Sequence, residues 1–154
     1  MSSRSKGFIE IENKYKYSNE YEIAVSARNS LIQIYSSGKL PYILYRVIVL
    51  LGAKVGIDSD GTLNSKEKNL VDFVMGDIFR DEMDDIYNKL SDRIFDIDFF
   101  LVDKISKLGA DIAIPFLDYI LCFAYIDGVI DDCTADILDD IFNIEYIDDF
   151  FKEI

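Results

Sequence analysis

"PYILYRVIVLLGAKVGI", residues 41–57, is the greasiest stretch of the chain, and its length decides the fold. A membrane-spanning helix needs about 20 apolar residues. This run is shorter and is cut by Arg46 and Lys54. It reads instead as a helix in the middle of a protein core, apolar nearly all round. Pro41 opens it from a place where proline loses no hydrogen bond. A second run of the same kind, "DIAIPFLDYILCFAYIDG" at 111–128, reads as another central helix, announced by Pro115.

Amphipathic segments surround these two. "SNEYEIAVSARNSLIQIYSSG" (18–38) opens on a capping serine and acids and is stopped by Gly38. Its Tyr21, Ala24, Ala27/Arg28, Leu31 and Tyr35 fall along one side. "SKEKNLVDFVMGDIFR" (65–80) puts Leu70, Val71, Val74, Met75 and Ile78 on one face. "DEMDDIYNKLSDR" (81–93), "IDFFLVDKISKLG" (97–109), "DDCTADILDDIFN" (131–143) and "IEYIDDFFKEI" (144–154) complete the set. About seven helices and no internal strand predict an all-α bundle, one domain over residues 18–154. Residues 1–17 read as a separate extended arm, because "FIEIENKYKY" (8–17) alternates apolar and charged positions. With no partner strand inside the chain, such an arm is expected to pair with another molecule, a second copy included.

The totals exclude several functions. Of 154 residues half are hydrophobic and 14% aromatic, too apolar for a disordered chain. Residues 1–54 carry +4 and residues 55–154 carry −17, within an overall −13. Such a field repels nucleic acid and anionic lipid and draws cations or basic protein surfaces. There is no histidine, so imidazole bases and histidine-ligated zinc are excluded. Cys122 and Cys133 are too few for a disulfide scaffold and read as reduced core residues. "MSSRSKGFIEIE" holds no apolar stretch of signal-peptide length, so a cytoplasmic setting is expected.

The chain also repeats itself. Asp60-Gly61 and Asp127-Gly128, 67 residues apart, each end a mostly apolar helix. Each precedes a pair of β-branched or leucine residues, Thr62-Leu63 or Val129-Ile130, and then a new amphipathic helix. The two Pro-aromatic openings lie at distances from these turns that differ by seven residues, about two helical turns.

"VGIDSDGTLNSKE" (55–67) matches a calcium loop with Gly61 at its sixth place. Asp58 and Asp60 take the third and fifth places, the Thr62 carbonyl the seventh, Asn64 the ninth and Glu67 the bidentate twelfth. The first place is Gly56, which removes a charge and a vertex, so binding there would be weak or differently arranged. A plainer reading stands beside it: Asn64 and Glu67 form a capping box, and Asp-Gly is a favourable turn. In the second copy Tyr125 and Thr134 replace Asp58 and Glu67. A third arrangement has both turns meeting, with Asp60, Glu67 and Asp127 sharing one divalent cation, calcium or magnesium.

On these residues the chain resembles the tellurite-resistance TerB-like family. "IDSDGTLNSKE" carries the resemblance through Asp60, Gly61, Leu63 and Glu67, and "YIDGVIDDCTAD" through Asp127, Gly128 and Ile130. Thr134 departs from it where a glutamate is expected. The resemblance covers roughly residues 40–145. It implies a duplicated all-helical domain, divalent-metal binding at the acidic turns, and a scaffold role in stress or phage-related systems. It implies no enzymatic activity.

Two functions are therefore expected. One is a non-enzymatic helical binding module that takes a cation and docks a partner protein of basic or mixed surface. The other is an acidic decoy, in which "DEMDD", "DDCTADILDD" and "EYIDDFF" imitate a row of phosphates and occupy a nucleic-acid-binding surface. A solvated face that keeps the chain soluble explains the same acids without a partner.

Overall fold

The computed structural model describes residues 5–57, 63–91, 98–127 and 130–142. Among them are eight α-helices: α1 (Lys6–Lys16), α2 (Glu20–Ser36), α3 (Tyr42–Ile57), α4 (Ser65–Phe79), α5 (Met83–Ser91), α6 (Phe99–Ser106), α7 (Ala110–Tyr125) and α8 (Asp132–Phe142). A 3-10 turn, Arg80–Glu82, joins α4 to α5. No strand occurs among the described residues, and none of their helices is long and apolar enough to cross a membrane. The fold is the all-α bundle expected.

α7 is its axis. From Ile112 to Tyr125 every residue is buried except Asp118, and α1, α2, α3 and α6 all pack on it. α3 crosses α7 closely, because Gly52 and Gly56 sit one turn apart on the contact face. Added side-chain carbons there would meet the Tyr119 ring at 2.6 Å and the Ile120 carbonyl oxygen at 2.5 Å. Tyr119 tightens the crossing by donating its hydroxyl to the Val49 carbonyl at 2.8 Å. Only the second half of α3 is buried all round, from Leu51 to Ile57. Its first half leaves Tyr42, Ile43 and Val47 exposed, which the apolar run does not announce.

Several details differ from the sequence reading. The extended arm over 1–17 is corrected: residues 6–16 are helical and docked. Phe8, Ile11, Glu12 and Tyr15 share one helical face and are buried, so the 3.6 period wins over the alternation. Ser5 caps this helix, its hydroxyl accepting from Phe8 N at 3.3 Å and donating to Asp139 of α8 at 2.7 Å. In α2 the cap is Asn19, which forms a capping box with Glu22. The buried face of α2 runs through Ile23, Ala27, Leu31 and Ile34, leaving Tyr21 and Tyr35 outside.

Pro115 does not start α7. It is the sixth residue of a helix entered through Gly109, whose φ of 135° suits glycine. Once the helices rather than the prolines are aligned, the repeat becomes regular. α3 and α7 are both 16 residues long, and α8 begins 67 residues after α4.

Candidate functional site

The start of α4 is built around Asn64, the residue before its first turn. Its Oδ1 accepts from Glu67 N at 2.9 Å, while its own N–H donates to Glu67 Oε1 at 3.1 Å. The capping box read from the sequence is therefore present. Glu67 is only 1% exposed, and Leu63 packs against the core beside it.

The same asparagine reaches the other half of the chain. Its Nδ2 donates to Asp127 Oδ2 at 2.5 Å, across 63 positions. The start of α4 thus touches the residue that follows Ile126, and Asn64, Glu67 and Asp127 are brought together around one amide. Asp58, Asp60 and Thr62 lie outside the described residues. Among the described residues no group of three or more acids or thiols is placed to hold a metal ion.

Gly56, at the first place of the calcium-loop pattern, belongs to the last turn of α3 and faces α7. An aspartate in that position would have to enter the α3–α7 contact. The second copy also starts its helix from a side-chain acceptor, without the reciprocal box. Asp131, the counterpart of Asn64, accepts from Cys133 N at 3.0 Å and from the Thr134 hydroxyl at 2.8 Å. Those two bonds, the Thr134 one foremost, hold its carboxyl below the usual aspartate range. Tyr125, which stands where the first copy has Asp58, turns inward and donates its hydroxyl to Glu12 of α1.

That bond belongs to a polar seam under α1 which the sequence reading missed. Tyr15 donates to Asp118 Oδ1 at 2.9 Å, and Lys14 Nζ lies 3.9 Å from the same oxygen. Burial raises the Asp118 carboxyl above its ordinary value, against the pull of Lys14 and the Tyr15 bond. Burial also raises Tyr15 and pushes the neighbouring Cys122 thiol up to about 12. A thiol so held stays protonated and is a poor nucleophile. Cys122 is the buried core residue expected, whereas Cys133 is exposed.

Away from the turns lies an apolar groove of about 330 Å³ between α3, α5 and α6, walled by Val47, Leu50, Leu51, Leu90 and Leu101. Lys54, 4% exposed, runs along it and donates to the Leu90 carbonyl at 3.2 Å. A cation there complements the carbonyl end of α5. The terminal "IDDFFKEI" lies outside the described residues.

Comparison with protein-family models, with curated proteins and with solved structures returned no match.

Proposed function

We propose that the chain is a non-enzymatic helical binding module of the TerB-like kind. Its paired Asp-Gly turns take a divalent cation, calcium or magnesium, and its acidic surface docks a partner protein of basic or mixed charge. A cytoplasmic stress- or phage-defence system is the setting in which such a module fits. The observation that carries this reading is the Asn64–Asp127 hydrogen bond, which ties the start of α4 to the second Asp-Gly pair's aspartate. Hard cations need several oxygens converging on a tight bend. Asp127 bonds the same asparagine whose N–H bonds the Glu67 carboxylate, and Asp58 and Asp60 precede that asparagine in the sequence.

Differential scanning calorimetry with calcium, magnesium and chelator tests it. A melting temperature raised by calcium or magnesium, and not raised in Asp60→Ala or Asp127→Asn, supports a shared ion. Equal melting with cation and with chelator overturns the metal half of the proposal. Charge mimicry is favoured by a different observation: Asp77, Asp81, Glu82, Asp84 and Asp85 are all exposed within nine positions of α4, the 3-10 turn and α5. Capture of a nucleic-acid-binding protein that fails steeply as salt rises, and is indifferent to cation, would select that alternative.

A further inference from the structure

α2 is apolar on two sides. Its inner face is buried, and the helix packs on α7. A second set, Tyr21, Val25, Ile32 and Tyr35, lies outside that face. With Arg28 in the middle these residues are spaced four, three, four and three apart, the heptad period that keeps a stripe on one side of a helix. Tyr21, Ile32 and Tyr35 are 73%, 54% and 58% exposed, and Val25 is partly so. A lone exposed side chain needs no explanation, but a stripe about 21 Å long does. Tyrosines are enriched where proteins meet.

The ions of α2 are already answered within the chain. Glu20 pairs with Lys66 at 3.4 Å, and Glu22 closes the capping box with Asn19. Arg28 lies over the Phe73 ring, donates to the Phe73 carbonyl at 2.7 Å and stands 3.9 Å from Asp77. A chain of net −13 repels its own copies, and it does so least where fixed charges are matched in this way. A heptad stripe also fits a second stripe of its own kind, because the side chains of the two interdigitate. In-register parallel alignment would set Arg28 against Arg28. Antiparallel alignment about an axis midway between residues 28 and 32 sets Ile32 against the second copy's Arg28, and Val25 against its Tyr35. It also opposes the two helix dipoles.

We infer that two copies of the chain meet along this stripe, α2 against α2, antiparallel about a twofold axis. A tyrosine brings about 150–250 Å² when fully covered. At the exposures given, the stripe buries roughly 350 Å² on each copy, against the roughly 800 Å² per partner of a stable complex. The dimer is therefore transient and forms at high concentration. It uses none of the residues placed at the Asp-Gly turns, so it is independent of the metal.

Sedimentation of the full chain in chelator, from about 5 to 500 μM, tests it. The weight-average mass should rise from 17.7 kDa towards twice that value. Ile32→Lys, which sets a second cation against the second copy's Arg28, should weaken association about tenfold or more, although it reduces the overall negative charge. Ile32→Glu faces the same arginine and should hold association at the parental level or above. The position is half exposed, so both variants keep the parental circular dichroism. Phe100→Lys, at an exposed ring of α6, should change association about twofold at most. A monomer at every concentration, association that Ile32→Lys leaves intact, or equal losses from Ile32→Lys and Ile32→Glu overturns the inference.

Discussion

Gly56 lies so close to α7 that a Cβ placed on it would stand 2.5 Å from the Ile120 carbonyl oxygen and 2.5 Å from Phe123 Cβ. Backbone cannot step aside as a side-chain tip can. Gly56→Ala should therefore destabilise the bundle by about 1–3 kcal/mol or more, and each kcal/mol lowers the melting temperature of a chain this size by about 2–4 °C. Gly56→Asp, which would complete the calcium-loop pattern, should destabilise further instead of improving affinity. A Gly56→Asp protein that keeps its melting point and gains calcium affinity would refute the close crossing.

Asn64 caps α4 and also bonds Asp127. Loss of the cap alone is worth about 1 kcal/mol. Asn64→Ala should exceed that, because the bond to Asp127 goes with it. A double-mutant cycle of Asn64→Ala with Asp127→Ala, followed by denaturant unfolding, isolates the second contribution. Strict additivity would mean that the bond between Asn64 and Asp127 contributes nothing.

Asp118 gives a pH test. Its carboxyl is raised in the native state by burial, so the group favours folding at low pH, below its ordinary value. That contribution is lost as pH rises through the raised native value, where the charged form must be buried. Asp118→Asn, which can still accept from Tyr15, stays neutral throughout. Thermal melts from acidic to neutral pH should show the variant gaining on the parent as pH rises. A parallel pair of curves would show that Lys14 already compensates the buried charge.

The two thiols should separate cleanly. Cys133 is exposed and Cys122 is buried with its acidity suppressed to about 12. A disulfide reagent at neutral pH should titrate Cys133 at once and Cys122 only as the protein opens. Both reacting together in the native state would place α1 off its seat.

Much of the fold was legible because α3 and α7 are nearly continuous apolar runs, and burial is what such runs require. α1 was not legible as a helix. Ile9/Ile11 and Tyr15/Tyr17 satisfy a period of two, whereas Phe8, Ile11 and Tyr15 satisfy 3.6, and only docking on α7 decides between them. With α1 misassigned, the seam beneath it was invisible; the one available signal was Glu12 on the same helical face as Phe8 and Tyr15. Pro115 misled for a related reason, since proline usually marks a first turn and here sits deeper in the helix. At the site, Asn64 and Glu67 could be read locally as a capping box. Their meeting with Asp127 is a tertiary fact, and the repeat was its sole trace in the sequence.

Ser5, by gripping Asp139 through both its amide and its hydroxyl, ties α1 to α8. Any tug on one of these two helices is consequently felt by the other. A protease nick that frees α1 would slacken α8 as well, making the opposite extremities of the described fold a single latch.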